Sequence, residues 1–198
     1  RERRLSMSLL HLYRTPGLSP SRTRQILSKA RNLLDLQPSG LRTEVCFNIQ
    51  LREPLTPHER KVLDWLLAET FEPHGFGEES FLEGAGPVWE VGPRMNFPTA
   101  WSPNAVGICH ACGLSGIQRI ERSRRFLLER GQPLTEKEAR VFLASVHDRM
   151  TETVYLEPLS TFETGVEPDP VFEIPVLEEG RTALERVIFI PASKKMGP

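Results

Sequence analysis

The sequence predicts an α/β sandwich, in which short strands and amphipathic helices alternate along the chain. Two observations predict this fold class. From Leu9 to about Glu152, segments that alternate between polar and apolar residues take turns with segments of helical periodicity. The strands are also short, and elements in this order pack their helices against a sheet. The 198 residues allow one sizeable core, or one domain with an appended segment, so we expect a compact domain of the ferredoxin-like kind.

The first predicted elements are a strand, a helix and a second strand. An apolar stretch follows Met7, the expected natural start, and can form the first strand. Residues 17–34 have helical spacing of apolar side chains; Ser19 or Ser21 can cap this helix, and the proline between them suits its first turn. The next segment, "TEVCFNIQL", alternates strictly between apolar and polar residues. This pattern is typical of a half-buried strand.

The second predicted helix has the clearest boundary signals of the chain. In "LTPHERKVLDWLLAETF", Thr56 can cap the helix, and Glu59 three residues later completes a capping box. A loop rich in glycine and acidic residues follows. The short segment "PVWEVG" is then predicted to form a strand.

Two further helices and one strand complete the alternation. "WSPNAVGICHACG" predicts a helix with Ser102 as its cap and Gly113 as its left-handed terminator. "IQRIERSRRFLLER" begins like a strand and contains many arginines. "LTEKEARVFLASVHDRMTE" predicts a well-capped helix, with Thr135 as cap and Glu138 at the capping-box position.

The residue pattern of the sequence changes after Val154. Four prolines without a sustained period indicate an extended linker, and "GRTALERV" could begin another helix. The predicted organisation has a disordered leader, a folded domain, a linker region and a divergent, disordered tail. Their respective bounds are 1–6, 7–155, 156–187 and 188–198.

Composition excludes several classes of protein. The chain is 39% hydrophobic and 26% charged with a formal net charge of -1, which is typical of a globular protein rather than a disordered or fibrous one. This balance gives no attraction to nucleic acid or to an anionic membrane. Apolar runs are far shorter than the roughly 20 residues of a membrane span, and the chain opens without a secretory leader. We therefore expect a cytoplasmic protein with reduced cysteines.

The pair Cys109 and Cys112 could indicate a metal or redox site, because two cysteines at this spacing can share a zinc ion or a disulfide. Structural zinc needs four ligands, however, and the other cysteine and histidines are scattered. Gly113 also ends the predicted helix directly after the pair, whereas a redox pair normally begins its helix. We favour buried structural cysteines and predict no metal site.

Two other polar groups allow alternative interpretations. The amides of the helix that starts near Ser102 could bind an anion together with Arg94. The simpler alternative is that Ser102 satisfies those amides and Arg94 pairs with a carboxylate. Likewise "HDRMTE" contains His147, Arg149 and two carboxylates that could form an acid-base group. A polar helix end that docks on another surface is the favoured interpretation, since neighbouring helical residues diverge.

Five segments together resemble a known family. They are "TEVCFNIQL", "EVGPRMNFPTAWSPNAVGICHACGL", "IQRIERSRRFLLE", "HDRMTETVY" and "EGRTALERV", in this order. They are similar to the amino-terminal region of the large, eukaryotic-type phosphoribosylformylglycinamidine synthase. The resemblance extends from about Met7 to Val187.

The resemblance implies a fold and a role. The family converts formylglycinamide ribonucleotide, glutamine and ATP to formylglycinamidine ribonucleotide, glutamate, ADP and phosphate in purine biosynthesis. Its amino-terminal domain is similar to a fused pair of small PurS subunits, followed by a linker, two synthetase halves and a glutaminase. The implied partners are thus the synthetase and glutaminase domains. ATP and magnesium would bind there, so we expect no cofactor and no catalytic residue in this chain.

By this analogy the domain bridges glutaminase and synthetase, helps to wall the ammonia route, and is inactive alone. The residues expected to dock between domains are Arg94, Asn96, Trp101, Ser102, Asn104, His147 and Arg149. Of these, Arg94, Asn96, Trp101 and Asn104 are expected to face the synthetase domains. The alternative is a free regulatory module that docks on the full enzyme or on its own copy. The final "IFIPASKKMGP" departs from the family pattern, so we expect that the sequence is truncated or spliced near Val187.

Overall fold

The computed structural model describes residues 9–34, 38–68, 73–84, 86–163 and 174–188. The chain divides into two compact units, Arg1–Thr164 and Gly165–Pro198. The predicted leader, 1–6, lies outside the described residues, as does the predicted tail except for its first residue. Of the predicted linker, residues 164–173 also lie outside them.

Strands and helices alternate through the first unit, which confirms the predicted fold class. Its elements are β1 (Leu9–Arg14), α1 (Pro20–Leu34), β2 (Gly40–Leu51), α2 (Pro57–Leu67), a 3-10 turn (Pro73–Gly75), β3 (Phe76–Gly77), β4 (Val88–Pro93), α3 (Trp101–Ala111), β5 (Ile117–Glu129), α4 (Glu136–Val146) and β6 (Glu152–Tyr155). The second unit contains α5 (Val176–Glu179) and α6 (Arg181–Ile188). Helix α6 confirms the helix predicted for "GRTALERV".

The six strands form one antiparallel sheet in the order β3-β1-β2-β5-β4-β6. This order is symmetric about the central pair β2 and β5. Each half of the unit follows the same succession of strand, helix, strand, helix and strand. In each half the last strand pairs with the first strand: Tyr13 of β1 lies opposite Gly77 of β3, and Glu90 of β4 lies opposite Tyr155 of β6. The unit therefore consists of two similar halves, as in the predicted PurS-dimer-like arrangement.

The second helix of each half begins with the same local structure. Thr56 accepts a hydrogen bond from the amide of Glu59, and the Glu59 carboxylate accepts one from the amide of Thr56. Thr135 and Glu138 repeat both bonds at the start of α4. These bonds satisfy amides that the first turn of a helix leaves open. Both predicted capping boxes are confirmed, and the hydrogen bonds from threonine lower the pKa of each glutamate.

All four helices of this unit pack on one face of the sheet. Alternation along β2 turns Val45, Phe47 and Ile49 toward them, as predicted. One buried cluster lies under α2 and α3, and a second lies under α1 and α4, where Phe126 of β5 meets Phe142 edge to face. The core is therefore one layer of side chains between the sheet and the helices.

The opposite face of the sheet is polar and also buried. On β2, Glu44, Cys46 and Asn48 are each no more than 1% exposed, and on β5 Glu121 and Ser123 are fully buried. The prediction of a half-buried β2 is thus wrong for this strand. The loop after β3 covers part of this face, since Ser80 and the amide of Phe81 both bond to the Glu44 carboxylate.

Two helix boundaries differ from prediction. Helix α3 begins two residues earlier than expected, with Ala100 as an N-cap that makes no side-chain hydrogen bond, so the prediction that Ser102 caps it is wrong. Its predicted end is confirmed, because Gly113 has a φ of 88° and its amide bonds to the carbonyl of His110. Helix α4 ends at Val146 rather than continuing through residue 152, and His147 is already extended.

Candidate docking surface

Residues 94–100 connect β4 to α3 and include two of the predicted docking residues, Arg94 and Asn96. This crossover is bonded to two side chains of the central strand β5, Arg119 and Glu121. The Glu121 carboxylate accepts hydrogen bonds from the amide of Thr99 at 3.0 Å and from its hydroxyl at 2.7 Å. Because Ala100 provides no side-chain cap, a carboxylate from the sheet is the group that fixes the approach to α3.

Arg119 extends the same attachment. Its Nε lies 3.0 Å from Glu121, which compensates the buried carboxylate. Its Nη2 donates to the carbonyl of Phe97 at 3.0 Å, and its Nη1 lies 3.5 Å from the carbonyl of Met95. The guanidinium also lies 4.4 Å from the ring centre of Phe162. The planar, multiply donating guanidinium thus joins the crossover to β5 and to the segment that follows β6.

The structure brings Arg94 and Arg149 together. Arg94 Nη2 donates to the Arg149 carbonyl at 2.7 Å, and the Arg94 amide donates to the carbonyl of Thr151 at 3.0 Å. Arg94 therefore holds the turn between α4 and β6 against the end of β4. The two alternatives considered for its side chain, an anion site and a carboxylate partner, stay predictions.

The "HDRMTE" segment forms this turn instead of the predicted helix end. Asp148 accepts from the amide of Met150 at 2.8 Å, and Glu152 accepts from the amide of Asp148 at 2.9 Å. Glu152 also pairs with Arg124 at 2.6 Å, while His147 Nδ1 bonds to the carbonyl of Leu143. These polar groups stabilise the turn, and an acid-base group is not assembled from them.

The remaining predicted residues differ in their exposure. Trp101 is half-buried, with its ring 6.4 Å from Phe47 and the Arg122 guanidinium 4.1 Å above it. Ser102 is only 2% exposed. Asn96 and Asn104 are exposed to solvent. Trp101 and Ser102 therefore support the surface from inside, while the two asparagines can contact a partner.

Sequence analysis missed two apolar members of this region. Phe97 is 57% exposed on the crossover, and Met150 is 82% exposed on the adjoining turn. A large apolar residue within each predicted polar segment was the available signal. We define the Arg94 surface as Arg94, Asn96, Phe97, Arg149 and Met150, all of which are exposed.

Cys46 and Cys109 are buried, whereas Cys112 is exposed, so the prediction of buried structural cysteines is wrong for Cys112. Burial, reinforced by neighbouring Cys112, raises the pKa of Cys109 to about 11, and burial raises that of Cys46 to about 12. Reactive and metal-binding cysteines need the opposite shift. Within the described ranges, no group of three or more His, Cys, Asp and Glu side chains could hold a metal ion.

A second polar network occupies the buried face of the sheet. His11 bonds to Asn48 at 2.9 Å, Asn48 donates to Ser123 at 3.1 Å, and the Ser123 hydroxyl donates to Glu90. Arg125 continues the network from Glu90 to Glu44. Burial raises the pKa of Glu90, although Ser123 and Arg125 oppose the shift. These groups bond to one another, so the network accounts for the stability of this face rather than for a site open to substrate.

In the part of the chain that the structure describes, no helix is both long and apolar enough to cross a membrane.

Comparison with known proteins gives one consistent result. Residues 44–161 match the family model of the formylglycinamide ribonucleotide amidotransferase N-terminal region. The chain is 45% identical to a probable chloroplastic or mitochondrial phosphoribosylformylglycinamidine synthase of Arabidopsis thaliana, over 90% of its own length and 13% of the relative's. It is 42% identical to the phosphoribosylformylglycinamidine synthase of Dictyostelium discoideum, over 96% of its own length and 14% of the relative's. It is 36% identical to the Homo sapiens phosphoribosylformylglycinamidine synthase, over 90% of its own length and 14% of the relative's. The chain thus spans about one seventh of these curated relatives.

Proposed function

The chain belongs to the formylglycinamide ribonucleotide amidotransferase N-terminal family, and from this membership we propose that it is the scaffold domain of a phosphoribosylformylglycinamidine synthase. The enzyme would convert formylglycinamide ribonucleotide, glutamine and ATP to formylglycinamidine ribonucleotide, glutamate, ADP and phosphate. The domain would bridge the synthetase and glutaminase domains and help to wall the ammonia route. ATP and magnesium would bind in the synthetase domains. The proposed location is the cytoplasm.

The Arg94 surface is the observation that supports a docking role. It combines two exposed arginines with exposed Phe97 and Met150, and arginine, methionine and aromatic residues are enriched in protein interfaces. Arg94 and Arg149 are also joined by a hydrogen bond, so the surface has a defined shape before a partner binds. We propose that this surface faces the synthetase domains.

Such a domain would position the synthetase and glutaminase domains and exclude water from the ammonia route. Ammonia that escapes into solvent is lost to the reaction or protonated, so a closed route between two active sites favours transfer. None of the polar groups described above is presented as a nucleophile or as a general base. The proposal therefore assigns this chain no bond-making step, and it predicts no synthase activity for the chain alone.

A free regulatory module is the alternative. The exposed Phe97 and Met150 favour it equally, since the same surface could bind the intact enzyme or a second copy of the chain in trans. In that case added chain would change the rate of an intact synthase.

The deciding experiment measures synthase activity of this purified chain, alone and mixed with the remaining domains supplied as a separate polypeptide. We expect no activity from the chain alone and recovery of glutamine-dependent activity on mixing. Failure to bind or to restore activity would contradict the scaffold role. A change in the rate of intact synthase on addition of the chain would favour the regulatory alternative.

A further inference from the structure

We propose that Arg119 and Glu121 are positioning residues. They hold the crossover, residues 94–100, and the chain segment after β6 in a fixed position relative to each other. This inference rests on the proposed docking function and extends it to the interior of the domain. Neither residue is among those predicted from the sequence. Both lie on β5, behind the crossover, and they act through the residues that they bind.

Glu121 fixes one end of the crossover. It is fully buried, and both of its carboxylate oxygens bond to Thr99. A buried carboxylate is costly unless it is paired and hydrogen-bonded, so these contacts strongly favour a single position of Thr99. Because Thr99 directly precedes the N-cap of α3, the start of that helix is fixed at the same time.

Arg119 fixes the middle of the crossover. The bond from Nη2 to the Phe97 carbonyl holds the backbone of a residue whose side chain is exposed on the Arg94 surface. The bond from Nε to Glu121 orients the guanidinium that makes this contact. Lysine has one donor group at the end of a flexible chain and could not make both bonds in this geometry.

The same guanidinium reaches the segment that follows β6. Phe162 is only 5% exposed, and its ring centre lies 4.4 Å from the Arg119 guanidinium carbon. A cation held over an aromatic ring at this distance is attracted to the face of the ring. Phe162 belongs to the same compact unit as the crossover. A displacement of Phe162 would therefore disturb Arg119, and with it the backbone at Phe97.

The corresponding crossover of the first half is attached to its central strand differently. The amide of Gly17 and the hydroxyl of Thr15 donate to the backbone carbonyl of Thr43 on β2, at 2.9 and 3.2 Å. Helix α1 then begins after Ser19, whose hydroxyl accepts a hydrogen bond from the amide of Arg22 at 3.3 Å. The approach to α3 is instead held by a side-chain carboxylate 22 residues away, which a substitution on β5 can remove.

The test uses intact synthase that carries Arg119→Ala, Arg119→Lys or Phe162→Leu, with Gln118→Ala as the control. Gln118 is an exposed neighbour on the same strand. Hydrogen exchange is measured at residues 95–99 and 158–163, and synthase rates are measured with glutamine and with ammonia. We expect faster exchange at both segments in Arg119→Ala and Arg119→Lys. A small misplacement caused by a mutation far from the reacting atoms can lower a reaction rate by up to roughly 100-fold. We therefore expect a glutamine-dependent rate about tenfold lower than wild type and an ammonia-dependent rate close to wild type.

Phe162→Leu keeps the fold testable if loss of Arg119 prevents folding. This variant should speed exchange at residues 95–99 through its contact with Arg119. Unchanged exchange there would overturn the coupling. Unchanged glutamine-dependent rates in the Arg119 variants, with a reduced rate in Arg94→Ala, would overturn the positioning role and leave the docking function standing. If the Arg119 and Arg94 variants all retain wild-type rates while exchange rises, the docking function itself fails.

Discussion

The guanidinium of Arg125 pairs with the carboxylate of Glu44 across the two central strands, on the sheet face opposite helices α1 to α4. Glu44 is fully buried. Ser80 and the amide of Phe81 supply its other bonds. This ion pair, together with the hydrogen bonds from Arg42 to the carbonyls of Phe81 and Glu83, holds the loop after β3 on the sheet.

Replacement of Arg125 is expected to destabilise the domain severely. Arg125→Ala would leave Glu44 buried without a charge partner, which costs about 3 to 5 kcal/mol. Chemical denaturation of the chain measures this change in the free energy of unfolding. Arg140→Ala is the control, since its pair with Glu136 is exposed and contributes at most about 1 kcal/mol. Equal effects of the two variants would contradict the role of the buried pair.

Glu90 is expected to make the domain less stable as pH rises. Burial raises its pKa in the folded chain, so the folded state binds this proton more tightly than the unfolded state does. The free energy of unfolding should therefore fall between the ordinary glutamate pKa of 4.5 and the raised folded value. Glu90→Gln should remove this part of the pH dependence. Denaturation midpoints measured from pH 4 upward test this, and parallel pH profiles for the two proteins would refute it.

The Arg94 surface is expected to matter more when glutamine is the nitrogen source than when ammonia is. In the full-length synthase, Arg94→Ala removes the bond to the Arg149 carbonyl and one exposed charge. The glutamine-dependent rate should fall, while the ammonia-dependent rate falls less. Lys61→Ala is the control, because Lys61 is an exposed cation that lies elsewhere, on α2. Wild-type values for both rates in Arg94→Ala would show that this surface does not face the other domains.

Gly107 inside α3 and Gly113 just after its end are expected to respond in opposite directions to the same substitution. Gly107 lies inside the helix with open space where a Cβ would stand, so Gly107→Ala should stabilise the chain by about 0.5 to 1 kcal/mol. Gly113 has a φ of 88°, which disfavours a side chain, so Gly113→Ala should destabilise it by about 1 to 2 kcal/mol. Thermal unfolding of both variants measures the contrast. Stabilisation by both would contradict the left-handed terminator.

Local signals allowed much of the fold to be predicted from the sequence. Both capping boxes use groups only three residues apart, and Gly113 ends α3 by its own backbone preference. Alternation along β2 likewise predicted which of its residues face the core. In each case the physical cause lies within a few residues, so the sequence alone reveals it.

Other features depend on partners that are distant in sequence. Ser102 has the chemistry of a cap, but Glu121 reaches the approach to the helix from β5 and α3 starts earlier. The polar residues of β2 are typical of a solvent-facing side, yet a loop and long side chains cover them. Phe97 and Met150 lie in polar segments, and only the pairing of β4 with β6 brings those segments together.

The central pair of strands has a consequence for how the domain folds. β2 has 12 residues and β5 has 13, and they join the two halves along almost their full length. Either half alone would expose the longest strand of the sheet as a bare edge, a template for aggregation. Contacts between segments so far apart in sequence also form slowly. A nascent chain must therefore protect its first half until β5 has been synthesised, which makes this domain dependent on prompt completion of its second half.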